Sequence, residues 1–202
     1  SVLSRSLELA LQLLELDIPM VVALNMVDEA QRKGIEVDIP ALEARLGVPV
    51  IPTVATRGIG LVTLLTAAIH RADHREFGTI PVYDRGLEEA VAEAVQRMPE
   101  GLAARAGAPS RFVALQLIEG DPVLEPLAAA EAPGYLDEVR AIRHRLAAAR
   151  HLTDSTVVST CRHAAVMDLF EAVAQVVPRR RRSLSDRVDK IVMHPWFGLM
   201  LA

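Results

Sequence analysis

The sequence is poor in the residues that build several common classes of protein. A single cysteine, Cys161, occurs in 202 residues, so the chain can form no intramolecular disulfide and no zinc site built on several cysteines. It contains no run of about 20 apolar residues, the length that a membrane-spanning helix needs. These shortages exclude a disulfide-stapled secreted scaffold and a cysteine-based zinc domain.

Net positive charge is confined to one short segment. The net charge is −4, but Arg179–Arg182, Arg187 and Lys190 form a basic stretch. An acidic body lacks the basic face of nucleic-acid-binding proteins, and aromatic residues, which stack on bases, make up only 3% of the chain. We therefore expect no nucleic-acid partner. We expect Arg179–Arg182 to meet an anionic membrane surface, because the apolar residues 191–202 follow in the positive-inside pattern. A C-terminal core helix is the alternative for that apolar stretch.

The first 76 residues predict a parallel α/β arrangement. The apolar runs Met20–Leu24 and Val48–Val54 are typical of buried strands. Four helical segments flank them, at residues 3–14, 28–33, 39–46 and 61–69. Helices and strands that alternate through short links favour a parallel sheet.

From about residue 84 the pattern predicts helices only. Apolar residues recur with helical spacing over 87–98, 110–119, 136–150 and 156–177. The predicted fold class is therefore α/β followed by an all-α helical domain. The predicted boundaries are 1–76, 77–178 and 179–202, the last segment being the basic stretch and the start of a membrane segment.

A polar motif, Asn25-Met26-Val27-Asp28, follows the first predicted strand directly. Ligands bind at the carboxyl ends of strands in open α/β sheets. An ionised Asp28 accepts two parallel hydrogen bonds, and guanine offers such a donor pair in its N1–H and 2-amino group. Asn25 is expected to tie the loop together and reach the base edge, while the Met26 side chain covers the base face. The alternative is a strand-to-helix turn in which Asp28 is only an N-cap.

A second candidate loop, Ala55-Thr56-Arg57, follows the next predicted strand about 30 residues later. GTPases place a second base-reading loop at this point, and its backbone N–H groups bond the guanine oxygen. The small Ala55 allows close approach, and Gly58 and Gly60 permit a tight turn into the following helix. Two such loops, each after its own strand, predict guanine recognition. An ordinary strand-turn-helix junction is the alternative.

In these segments the sequence resembles the ferrous-iron transport protein B family of bacteria. The resemblance is carried by residues 11–16 with Ile18-Pro19, by 22–28, by 50–52 with 56–58, by 114–121, and by 189–192 with His194-Pro195. It implies a GTP-binding domain, a helical domain that modulates nucleotide affinity and a membrane permease for Fe²⁺. The chain would hold the back half of the first, all of the second and the threshold of the third, at the cytoplasmic face of the bacterial inner membrane.

The sequence departs from the family pattern in ways that limit the expected activity. It has no Gly-x-x-x-x-Gly-Lys-Ser/Thr phosphate loop, no switch regions and no Asp-x-x-Gly. The resemblance therefore implies GTP or GDP as ligand with a Mg²⁺ site upstream, and this chain alone is not expected to hydrolyse GTP. Ala55 stands where the family commonly has Ser, and residues 160–163 differ from the usual Arg-Tyr-containing stretch.

The sequence leaves several alternatives open. One is a membrane-tethered helical regulatory module without nucleotide activity, and another is a fragment of a different GTPase. We expect Fe²⁺ to be handled only by the membrane part and assign no metal ligands here. His70 and His74, four residues apart on a helix, are expected to face solvent. The sequence does not decide whether the protein is a homo-oligomer.

Overall fold

The computed structural model describes residues 2–176. Its ten α-helices over these residues are α1 (Val2–Glu15), α2 (Val27–Arg32), α3 (Ile39–Leu46), α4 (Leu61–His74), α5 (Arg85–Gln96), α6 (Leu102–Ala106), α7 (Ser110–Glu119), α8 (Leu124–Glu131), α9 (Pro133–Ala149) and α10 (Val157–Val173). The strands are β1 (Val22–Asn25), β2 (Ile35–Val37), β3 (Val50–Thr53) and β4 (Ala174–Val176). The predicted basic stretch and the apolar residues 191–202 lie outside the described residues.

Strands β1 and β3 form the parallel pair that the sequence predicts. Their register sets Val22 opposite Val50 and Asn25 opposite Thr53. The chain crosses from one strand to the other through α2, β2 and α3, as a parallel connection requires. The two strands therefore end side by side, and the loops that follow them emerge at the same edge.

A second strand pair corrects the sequence prediction. The predicted helix over 156–177 ends at Val173, and β4 then pairs antiparallel with β2. The expectation that strands are absent beyond residue 84 is wrong, and β2 was not predicted. Each strand has only three residues, too few to show a period of two, and their pairing joins residues 35 and 176, which no local pattern reveals.

Two apolar cores hold the described residues together. The first consists of one face each of α1, α3 and β3 and the second half of α10, including Leu14, Leu46, Val166 and Leu169. The second fills the bundle of α5 to α9 and includes Val158 and Cys161 from the first half of α10. Helix α10 therefore passes from one core into the other.

Local signals in the sequence fix the helix ends near the first core. Asp38 caps α3, since its carboxylate accepts a hydrogen bond from the Ala41 N–H at 3.0 Å. Gly47 ends α3 with a φ of 66°, a left-handed conformation that glycine adopts readily. Within residues 2–176 no helix is both long and apolar enough to cross a membrane.

Candidate functional site

The side chain of Asn25 joins the ends of β1 and β3. Its Oδ1 accepts a hydrogen bond from the Thr53 hydroxyl at 3.2 Å and another from the Ala55 N–H at 3.1 Å. A backbone N–H can only donate, so this contact fixes which end of the amide is the oxygen. Among the described residues no hydrogen bond uses the Asn25 Nδ2, so both of its donors remain available.

The predicted second loop is a single 3₁₀ turn, Ala55–Arg57. The Ala55 N–H bonds Asn25, and the Arg57 N–H donates to the Val54 carbonyl at 2.9 Å. Among the hydrogen bonds of the described residues, none uses the Thr56 N–H. All three residues of the turn are exposed, and this N–H has no partner among the described residues.

The turn depends on a glycine at its exit. Gly60 has a φ of 79° and is the N-cap of α4. A Cβ built at this position would collide with the Pro52 carbonyl oxygen, so only glycine fits between β3 and α4. This observation agrees with the tight turn that the sequence predicts here.

The first loop places Asp28 in the first turn of α2. Met26, with a φ of 63° and a ψ of 32°, occupies the N-cap in a left-handed conformation and is 55% exposed. Asp28 therefore lies inside the helix, and the alternative that it is the N-cap is wrong. One carboxylate oxygen, Oδ1, accepts a hydrogen bond from the Glu29 N–H at 2.9 Å.

Two arginines lie near the other oxygen of Asp28. Arg57 Nη1 is 3.9 Å from Oδ2, and Arg32 Nη2 is 3.7 Å from it. Both arginine side chains are mostly exposed, at 66% and 73%, so these pairs are weak. The contact with Arg57 nevertheless brings the two predicted loops within ion-pair distance of each other.

A cavity of about 620 Å³ opens beside β1 and the first loop. Its lining includes Asn25 and Val27 with Gln31 from α2 and residues of β2. Of the seven residues that the sequence predicts for base recognition, Asn25 and Val27 line this cavity and the other five do not. The parallel pairing of β1 and β3, not the cavity, brings residues 25–28 and 55–57 to the same edge.

Sequence reasoning missed Thr53. Its side chain is buried, and the residue is only 1% exposed. A hydroxyl in such a position needs a partner, and Asn25 is the partner. The signal in the sequence was a polar residue one position before the end of an otherwise apolar run.

Two family models match the chain. The model described as ferrous iron transport protein B matches residues 1–68, and the model of the FeoB cytosolic helical domain matches residues 83–175. The Fe(2+) transporter FeoB of Escherichia coli (strain K12) is 35% identical over 98% of this chain. A fusion of Fe(2+) transport protein A with Fe(2+) transporter FeoB, from Porphyromonas gingivalis, is 30% identical over 98% of the chain. The chain spans 24% of the length of either relative.

Solved structures of similar proteins share the fold. A GDP-bound variant of NFeoB from S. thermophilus superposes with a TM-score of 0.74 and 26% identity, over 86% of this chain and 65% of that chain. A variant of the same protein bound to GMPPNP gives a TM-score of 0.69 and 26% identity, over 82% and 63%. The predicted order of a sheet domain followed by a helical domain is thus confirmed by likeness to cytosolic FeoB structures.

Proposed function

Because the chain belongs to the ferrous iron transport protein B family, we propose that residues 1–76 recognise guanine as part of a GTP-binding domain. The observation that carries the proposal is the bond from the Ala55 N–H to Asn25 Oδ1. It joins two loops that follow neighbouring parallel strands, and ligands of open α/β sheets bind at such an edge. The proposal concerns recognition of the base, not hydrolysis.

The donors and acceptors at this edge match those of guanine. The Asp28 carboxylate accepts from N1–H and the 2-amino group, the Thr56 N–H donates to O6, and Asn25 Nδ2 donates to N7. Adenine has no N1–H and carries a donor at position 6, so it leaves Asp28 and the Thr56 N–H unpaired. Met26 is exposed beside the loop, where its flexible side chain can cover the face of a base.

The relatives support a nucleotide as the ligand. The S. thermophilus NFeoB structures contain GDP or GMPPNP, and we propose GTP or GDP for this chain. The phosphates and Mg²⁺ would be held by residues outside it, because the chain has no phosphate loop. Isolated guanine recognition by these two loops should therefore be weak.

The proposal extends to transport. The curated relatives are named Fe(2+) transporters, and the helical part matches a family model of its own. We propose that residues 77–178 are a regulatory helical domain that couples the nucleotide to a membrane permease for Fe²⁺. On this proposal the chain lies at the cytoplasmic face of the bacterial inner membrane, with Arg179–Arg182 near anionic lipid.

The test is a change of base preference. Asp28→Asn replaces one acceptor by a donor, which suits the 2-oxo group of xanthine and not the 2-amino group of guanine. One charged hydrogen bond contributes about 1.5–3 kcal/mol, so we expect guanine affinity to fall by about 10- to 100-fold. Binding of GDP, XDP and ADP is measured by ligand-observed NMR on the chain, and by titration on the polypeptide extended upstream.

The matched control is Asp38→Asn, an identical change at the N-cap of α3. It should leave the preference for GDP over XDP and ADP unchanged. A wild-type protein that binds GDP and ADP equally, or an Asp28→Asn protein that keeps its guanine preference, would contradict the proposal. The chain would then be better described as a helical module without nucleotide activity.

A further inference from the structure

A buried charged cluster lies away from the base loops. Arg162 of α10 is 1% exposed, and the side chain of Glu15, at the end of α1, has no exposed surface. Burying charges is costly unless they are paired and hydrogen-bonded. Both charges therefore need partners within the protein.

The guanidinium of Arg162 bonds two carboxylates at once. Its Nε and Nη2 donate to Glu15 at 3.2 and 3.3 Å. Its Nη1 and Nη2 donate to Glu119, the last residue of α7, at 2.9 and 3.1 Å. The Tyr83 hydroxyl donates to Glu15 as well. Burial alone would lower the pKa of Arg162, but the bonds to Glu119 and Glu15 raise it above its ordinary value, so the charge is kept.

Arg162 lies at the point where α10 passes from one apolar core to the other. Before it on the helix, Val158 and Cys161 pack in the bundle core. After it, Val166 and Leu169, one and two turns further on, pack in the first core. Arg162 lies at the boundary, with one carboxylate from each side: Glu15 from the part that carries the base loops, and Glu119 from the bundle.

We propose that Arg162 couples the base-recognition part to the helical bundle through this paired contact. Separating either carboxylate from the guanidinium leaves a charge in a poorly solvated place, so α1, α7 and α10 are held as one unit. A change that stabilises or destabilises the base-recognition part thereby changes the stability of the helical bundle, and the reverse also holds. This coupling rests on the proposed function in one respect: its link to nucleotide binding requires that residues 1–76 recognise guanine.

Glu119→Gln tests this coupling with little risk to folding. It removes the charge on the bundle side, where Glu119 is 28% exposed, and leaves Arg162 paired with Glu15. Arg162→Lys is the second variant, since an ammonium cannot form two bidentate pairs. The control is Glu125→Gln, a carboxylate that is 21% exposed and paired with Arg140 and Arg143 inside the bundle.

Native-state hydrogen exchange on the 202-residue chain, without nucleotide, gives the readout. In the control, exchange at the core amides of α1 and α3 and at those of α7 should change by the same factor. In Glu119→Gln and Arg162→Lys, α1 and α3 should exchange faster than α7 by at least about tenfold relative to the control. An unchanged ratio would overturn the proposal. Failure of guanine binding would leave this result intact, so the two proposals fail separately.

Discussion

Replacing Arg162 by methionine should remove a large part of the stability of the chain. Methionine replaces the aliphatic stem of arginine with flexible apolar atoms and lacks the guanidinium. Among the described residues, it leaves the fully buried Glu15 carboxylate with the Tyr83 hydroxyl as its one remaining partner. Removing one member of a buried ion pair costs about 3–5 kcal/mol, against a total of about 5–15 kcal/mol for typical domains.

The double variant Glu15→Gln with Arg162→Met separates the charge effect from lost packing. It removes the fully buried charges, while the Glu119 carboxylate, which also loses Arg162, is 28% exposed and can be solvated. The Gln amide can still accept a bond from Tyr83. Replacement of a whole buried ion pair by neutral groups is often close to neutral in stability. We therefore expect the double variant to recover most of the loss.

The assay is urea unfolding followed by far-ultraviolet circular dichroism, with unfolding free energies from linear extrapolation. Arg145→Met is the control, because Arg145 is 62% exposed in its pair with Glu93 and should change stability little. The reasoning is refuted if Arg162→Met loses less than about 1 kcal/mol. It is equally refuted if the double variant is as unstable as the single one.

Two further predictions follow from buried polar groups. Thr53→Val keeps the shape of the side chain but removes the hydroxyl that donates to Asn25 Oδ1. It should lower the free energy of unfolding by about 1 kcal/mol and lower guanine affinity severalfold, as measured by nucleotide titration. An unchanged affinity would count against the role of Thr53. Burial raises the pKa of Cys161 to about 11 and that of Tyr135 to about 12. Because the folded state favours the protonated forms, both groups contribute to the free energy of unfolding. This contribution is complete below the unfolded-state pKa values of 9.0 and 10.0 and is lost as the pH rises through the folded-state pKa values. Urea unfolding at rising pH should show that loss, and Cys161→Ala should reduce the part between about pH 9 and 11; an identical pH profile in the variant would contradict the assignment.

Most of the helices could be predicted because their apolar residues recur with a period of 3.6. The helix Ser110–Glu119 has the predicted bounds. The meeting of the two loops could be predicted because parallel strands end at one edge, so that Asn25 and Ala55 had to meet once both strands were recognised. In each case the decisive information lay within about 30 residues of sequence.

The short helices α6 and α8 were not predicted. Other features that escaped prediction depend on distant partners. Strands β2 and β4 exist because residues 35–37 and 174–176 pair, and neither segment has a recognisable pattern alone. Arg162 lies four residues before Val166 on α10, and Glu15 lies four residues after Leu11 on α1. Each charged residue therefore falls on the apolar face of its helix. A charged residue on such a face was the available signal, but its partner could be found only in three dimensions.

The path of α10 has a consequence for the order in which the chain folds during synthesis. Arg162 and Glu15 are 147 residues apart in sequence, and the first core is incomplete until Val166, Leu169 and Val173 arrive. Contacts between such distant residues form late, because the intervening chain must first be brought together. The helices of the bundle, whose contacts are more local, can form before the second half of α10 completes the first core. Of the two cores, the one whose first helix lies earlier in the sequence is therefore the one completed later.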